Sequence, residues 1–269
     1  EGLCRPAMHY RFNFDEEQYD FILYHFTSQM NGDEEHAKKV IAHVSTNVAP
    51  QWGVRPSTHA IIEKLYEGFV EKFNAHLTQY PYLLGGKPCV GDFGLMCPLY
   101  GHLGRDPVPH RLLQMRGPWI HRWVERMNRP EPDTGEYINL PHSFLQDDEV
   151  PKTIIELLTH FALDFVPETI ASHSGINRWL EENKPAIGTQ CERYAGEAEF
   201  DVEGTSIHVC PQPFRFYLLE RVQSAIQVLK GSDQADALAL LDTCNMTAVL
   251  DLKLDRKIGR AKNLEVWLD

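Results

Sequence analysis

The spacing of hydrophobic residues over the first part of the chain predicts a series of amphipathic helices. Apolar side chains recur there at intervals of three and four residues, which places them on one face of a helix. Asn13, followed by Glu16, has the pattern of a helix N-cap with its partner. Asp33 is expected to begin a second helix and Ser57 a third. The third helix has an apolar residue at every fourth position: Ile61, Leu65, Phe69, Phe73 and Leu77.

The segment 90–103 differs from these helices because it is hydrophobic on nearly every face. A helix of that kind is expected in the middle of a bundle rather than at its surface. Asp92 follows Cys89 by three residues, so the pair has the spacing of a structural cap in which the carboxylate accepts from amide hydrogens at the helix start. Cys97 lies within this helix and is expected to be a packed, unreactive thiol.

The second half of the chain predicts helices mixed with a few short strands. A polar loop rich in proline follows Arg129, and it is the best candidate for a boundary between domains 1–135 and 136–269. The elements expected after it are helices around 150–165 and 168–183, a hairpin turning at Gly204, helices from Pro213 and Ser232, and strands at 250–254 and 264–268.

Composition narrows the class of protein. The chain of 269 residues has 26 Lys and Arg against 38 Asp and Glu, and a net charge of −12 argues against nonspecific binding to nucleic acid or to an anionic membrane. Six cysteines without a C-x-x-C pair favour a reduced, cytoplasmic protein. No apolar run approaches the roughly 20 residues that would span a bilayer.

The stretch from Leu83 to Trp123 resembles the C-terminal helical domain of the glutathione S-transferase family, in which an LLG-x-x-P segment leads into an A-D-F helix start. Two positions depart from that pattern, since Cys89 replaces a Ser or Thr and Gly91 replaces Ala. The resemblance implies a mainly α fold, a transferase-type helical bundle followed by an appended α+β segment. The matching residues are Leu83, Leu84, Gly85, Pro88, Asp92, Phe93, Pro118 and Trp123.

The residues after 135 resemble, more loosely, the long C-terminal extension of some bacterial glutathione-transferase-like proteins. The segment 213–221 is the part most similar to that extension. No activity follows from this second resemblance, and the extension is expected to pack on the helical bundle.

The first resemblance implies a cytosolic protein in which the thiolate of glutathione, the co-substrate, attacks a small apolar electrophile. This chain would supply the electrophile pocket, with His9, Tyr10, Asn13 and Tyr100 as substrate-binding residues. The residues that bind glutathione in that family lie mainly in a thioredoxin-like domain, and nothing before Tyr82 has that pattern. The chain is therefore expected not to conjugate glutathione alone, and no catalytic residue is assigned. Such family members commonly form homodimers.

Three alternatives stay open. The aromatic residues near the start, Tyr10, Phe12 and Phe14, are also typical of a core, with His9 and Arg11 then at the surface. Transferase-type helical domains also serve as noncatalytic binding or assembly modules, in which a groove holds a protein partner. A metalloenzyme rests only on the 13 histidines, and since no H-x-x-x-H or H-E-x-x-H pair occurs, no metal is expected.

Overall fold

A computed structural model describes residues 3–131 and 134–269 of the chain. Helices make up 62% of it, and the strands form two small sheets late in the chain, so the prediction of a mainly α protein with a few strands in its second half is confirmed. Glu1, Gly2, Pro132 and Asp133 lie outside the described residues, and with them part of the proline-rich loop at the predicted domain boundary.

Ten α-helices and four strands run through the described residues. Shorter helical turns join them, among them π-helical turns at Val44–Val48 and Leu99–Leu103. The bounds of the helices are α1 Cys4–Phe12, α2 Glu16–Gln29, α3 Glu34–His43, α4 His59–Leu77, α5 Val90–Pro98, α6 Pro107–Arg116, α7 Pro118–Met127, α8 Lys152–Asn183, α9 Pro213–Val228 and α10 Ser232–Thr243. The strands are β1 Ala198–Val202, β2 Thr205–Val209, β3 Ile258–Ala261 and β4 Leu264–Trp267.

Contacts divide the chain into two compact units. The first comprises the residues up to Pro50 together with Val54–Phe161, and the second comprises Gln51–Gly53 and Ala162–Asp269. The first unit therefore continues past the boundary predicted at 135. Gln51 belongs to the second unit through its carbonyl, which accepts from the amide of Cys210 at 2.8 Å.

The core of the first unit is built on the stripe predicted for α4. Phe69, Phe73 and Leu77 are fully buried, and the Phe73 ring meets Trp123 of α7 edge to face at 5.1 Å. Burial of such a stripe supplies most of the stability of a helix in a globular protein. The N-cap of this helix is Thr58, one residue after the predicted start at Ser57.

The second unit has a smaller core and contains two β-hairpins. β1 and β2 pair antiparallel with Phe200 opposite Ile207, as predicted from the alternation around Gly204. Glu203 and Gly204 have φ of 50° and 82°, the left-handed pair that a tight two-residue hairpin turn requires. β3 pairs with β4, which lies within the predicted strand 264–268. The strand predicted at 250–254 is wrong, because residues 250 and 251 form a turn and residues 252–254 join no ladder among the described residues.

Two sequence-based boundaries are corrected by the structure. The N-cap of α2 is Asp15, whose carboxylate accepts from the amide of Gln18 at 2.9 Å, and not Asn13. The helices expected on either side of residue 166 are one helix, α8, with Pro167 inside it. A proline in a helix removes one hydrogen bond, but apolar residues on both sides of it are buried, and their packing outweighs that loss.

Asp33 caps α3 as predicted, since its carboxylate accepts from the amide of His36 at 2.9 Å. None of the described helices is both long enough and apolar enough to cross a membrane.

Candidate functional site

The end of α1 brings the buried His9 into contact with two half-buried residues of α4. The His9 Nε2 lies 2.8 Å from a carboxylate oxygen of Glu63, and its ring centroid is 4.2 Å from that of His59. His9 is 1% exposed, and this burial lowers its pKa although the hydrogen bond to Glu63 opposes the shift. A neutral His9 donates from Nε2 to the carboxylate, which leaves Nδ1 as an unprotonated acceptor.

Aromatic rings surround this pair. Tyr10 is 3% exposed, and its ring centroid lies 5.0 Å from that of Phe14 and 5.7 Å from that of Tyr66. Burial raises the pKa of both tyrosines well above the usual range, so their hydroxyls stay protonated at neutral pH. Tyr10 and Tyr66 are therefore hydrogen-bond donors and not anions.

Three buried polar atoms of this group have no hydrogen-bond partner within the described part of the chain. They are Nδ1 of His9, Nε2 of His59 and the hydroxyl of Tyr66. Native proteins leave few buried polar atoms unpaired, and water or a ligand often supplies the missing partner. We call His9, Tyr10, His59, Glu63 and Tyr66 the α1 cluster. Its unpaired atoms include a hydrogen-bond acceptor, Nδ1 of His9, and a donor, the hydroxyl of Tyr66.

The remaining polar residues at this end of α1 are tied to other elements. Asn13 accepts from the hydroxyl of Ser45 at 2.7 Å. Arg11 forms a bidentate ion pair with Asp106 at the start of α6, with both distances 2.8 Å. Asp106 is 1% exposed, so this pair is held out of solvent and fixes α1 against α6.

Tyr100 lies on a different surface, which is the exposed face of α5 and of the turn after it. Val90, Phe93 and Tyr100 are 88%, 61% and 50% exposed, and Cys97 between them is exposed as well. Their spacing of three, four and three residues puts them on one side of the helix. We call these four residues the α5 face.

The prediction that this helix is buried on every side, with Cys97 as a packed thiol, is therefore wrong. Its other side carries the contacts: Asp92, Leu99 and Leu103 are 0% exposed and face the core. The helix is apolar all round in sequence, but only one side has a partner among the described residues. A contiguous exposed apolar surface of this kind is typical of a binding site.

Asp92 joins the start of α5 to its neighbours. One carboxylate oxygen accepts from the amide of Leu83 and from the indole Nε1 of Trp123, both at 3.2 Å, and the other accepts from the amide of Cys89 at 2.9 Å. Burial raises the pKa of Asp92, and these three donors oppose the shift. Three of the residues that carry the family resemblance are thus members of one hydrogen-bond network.

The structure brings only some of the predicted substrate-binding residues together. His9 and Tyr10 are in ring contact at 5.2 Å, whereas no hydrogen bond or ring contact within the described residues joins Tyr100 to His9, Tyr10 or Asn13. Tyr10 is a core aromatic, as the alternative interpretation had it, but that interpretation is wrong for His9, which is buried, and for Phe14, which is 42% exposed.

Glu63 and His59 were missed because they lie 54 and 50 positions from His9 in the sequence, and only tertiary packing pairs them. Their spacing of four residues on α4 was visible, but a His-x-x-x-Glu pair on one helix is also an ordinary surface feature.

Among the described residues no group of three or more histidine, cysteine or acidic side chains has a geometry that would hold a metal ion. No family model, no curated protein and no solved structure matches this chain.

Proposed function

We propose that this chain is the helical part of a glutathione S-transferase-like protein and that the α5 face receives a small apolar electrophile. The observation that carries the proposal is the exposed α5 face, which includes Phe93 of the helix and Tyr100 of the turn after it. The turn Leu99–Leu103 packs against α1, so this face adjoins the helix to which the family resemblance assigns the electrophile site.

The capping network supports the same proposal at the level of the fold. Asp92 binds Leu83 and Trp123, and these are residues by which the sequence resembles the transferase helical domain. A buried carboxylate with three donors fixes the start of α5 and hence the position of the α5 face.

In the proposed reaction the thiolate sulfur of glutathione bonds to an electrophilic carbon, and the leaving group departs with the bonding electrons. The chain described here would bind the apolar body of the electrophile, with the rings of Phe93 and Tyr100 offering stacking surfaces. Glutathione would be held by a thioredoxin-like domain, whereas the described residues before Tyr82 form the helices α1 to α4 and helical turns. We therefore expect conjugation of glutathione by the 269-residue chain to be at background.

The binding step is tested with 1,3-dinitrobenzene, an aromatic probe that lacks a leaving group and so cannot arylate Cys97. Phe93→Ala and Tyr100→Ala should each weaken binding about fivefold, which corresponds to about 1 kcal/mol of lost ring contact. Met115→Ala is the matched control, because Met115 is 79% exposed on α6, away from the α5 face in sequence. Equal affinity of all three variants and the wild-type chain would refute the proposal.

A noncatalytic binding or assembly module is the second candidate, and one observation favours it. His9 and Tyr10 are 1% and 3% exposed, so neither offers its ring to a ligand from solvent, and the α5 face would then contact a protein partner or a second copy of the chain. Under this alternative 1,3-dinitrobenzene does not bind, and Phe93→Ala lowers the tendency of the chain to self-associate in light scattering.

We also propose a cytoplasmic location. The support is that the six cysteines are thiols, as a reducing compartment would keep them.

A further inference from the structure

The second unit contains a cavity of about 180 Å³ between α9 and the segment that follows the last helix. Its hydrophobic lining comes from Phe216 of α9 and from Leu252, Leu254 and Ile258. The floor is held in place by Gln223, which is 5% exposed and whose Nε2 donates to the carbonyls of Val249 and Leu252 at 2.9 and 3.0 Å. These hydrogen bonds join α9 to the segment on the other side of the cavity.

Positive charge is concentrated at this cavity. The lining includes Lys253, Arg256 and Lys257, with Glu220 as its acidic residue. Residues 253–262 contain five Lys or Arg and one Asp in a chain whose net charge is −12. This local excess of positive charge is opposite in sign to the net charge of the chain, and it would attract an anion.

The lysines of the lining are not used for internal ion pairs. Within the described residues neither Lys253 nor Lys257 has a carboxylate at ion-pair distance, and both residues are exposed. Arg256 lies 3.5 Å from Asp269, but the Asp269 side chain is 90% exposed, so the pair is weak. Two lysines without an ion pair therefore lie beside the hydrophobic part of the lining, and Glu220 is the acidic residue of the same lining.

We propose that this cavity binds a small aromatic carboxylate. An apolar cavity of about 150 Å³ accommodates a benzene ring, so this one has room for a single ring. The ring would contact Phe216 and the leucines, and the carboxylate would lie toward Lys253 and Lys257. The site belongs to the second unit and uses no residue of the α5 face, so it stands or falls independently of the proposed transferase role.

The test is an NMR titration of the ¹⁵N-labelled full chain with benzoate and, in parallel, with benzamide. The two ligands have nearly the same shape, and only benzoate is charged. Benzoate should shift the amide resonances of residues 252–258 and of α9, and benzamide should bind about fivefold more weakly or worse, because it gains no attraction from the lysines.

Matched variants separate charge from shape. The double variant Lys253→Glu with Lys257→Glu should weaken benzoate binding about tenfold, whereas Lys230→Glu, an exposed lysine of the same unit outside the lining, should not change it. Ser224→Phe fills the cavity from an exposed helix position and should abolish binding. Ala225→Phe adds the same ring at the next exposed position, outside the lining, and should leave binding intact.

Three results would overturn the proposal: no shifts at residues 252–258 with benzoate at about 10 mM, benzamide binding as tightly as benzoate, or an equal loss in Lys230→Glu. If circular dichroism shows that the double charge variant is unfolded, the comparison of Ser224→Phe with Ala225→Phe decides. Equal binding by these two variants would then exclude the cavity as the site.

Discussion

Replacement of Asp92 should destabilise the first unit in a graded way that depends on how many acceptors remain. In Asp92→Ala the amides of Leu83 and Cys89 and the indole N–H of Trp123 all lose their acceptor. A buried donor left unpaired costs about 1–3 kcal/mol, so three of them cost roughly 3–9 kcal/mol. Loss of the buried carboxylate relieves part of that cost, because desolvation of its charge disfavours the folded state, and a net loss of about 3–5 kcal/mol is expected.

Asp92→Asn keeps the oxygen that accepts from Leu83 and Trp123, provided that the amide group faces Cys89. Only the amide of Cys89 then loses its acceptor, because it meets an NH₂ group in place of an oxygen. The expected loss is about 1–3 kcal/mol, which lies clearly below that of Asp92→Ala. Asp20→Ala is the control, since Asp20 is an exposed residue on α2 in the same unit, and such surface changes usually cost less than about 0.5 kcal/mol.

The assay is urea unfolding followed by circular dichroism, combined with hydrogen exchange of peptides from 83–127. Exchange is needed because a chain with two compact units need not unfold in a single transition, and only the first unit contains this network. The reasoning would be refuted if Asp92→Asn were as damaging as Asp92→Ala. It would also fail if Asp92→Ala unfolded at the same urea concentration as Asp20→Ala.

Three further predictions concern the pKa of His76, the space beside Gly86 and the exposure of Cys97. Burial lowers the pKa of His76 below its usual value of 6.5, so the unfolded chain binds a proton at a higher pH than the folded chain does. The stability of the first unit should therefore fall as the pH drops below about 6.5, and it should fall less in His76→Gln. Urea unfolding midpoints measured between about pH 7 and pH 5 test this. Gly86→Ala should destabilise the first unit by about 1–3 kcal/mol in the same assay, the usual cost of overpacking that forces the backbone to shift. The cause is that the added methyl group would overlap the carbonyl oxygen of Pro141. A thiol reagent should label Cys97 far faster than Cys191, which is 8% exposed and whose pKa burial raises to about 12; equal rates by mass spectrometry would contradict the exposed α5 face.

The sequence by itself determined the local elements whose signals are short-range. Three such elements could be predicted because the residues responsible lie within a few positions of one another: the apolar stripe of α4, the N-cap at Asp33 and the turn at Gly204. Helical periodicity, capping side chains and left-handed turn residues act on the backbone next to them, and their effect does not depend on the rest of the fold.

Tertiary structure alone decided which faces of those elements are buried. The hydrophobicity of α5 predicted a helix surrounded by protein, but one side, with Phe93, is exposed because no described element packs on it. Continuity of α8 through Pro167 was likewise decided by packing on both sides of the proline.

The candidate sites depend on the same long-range information. Glu63 meets His9 across 54 positions, and the basic residues near the end of the chain surround a cavity only because α9 packs beside them. The hydrophobic free energy depends on how much apolar area is removed from water and not on which residues cover it. A sequence pattern therefore shows that a surface is apolar without showing what covers it. The local elements could therefore be predicted from the sequence, while their exposed faces and the cavity were set by which elements meet in three dimensions.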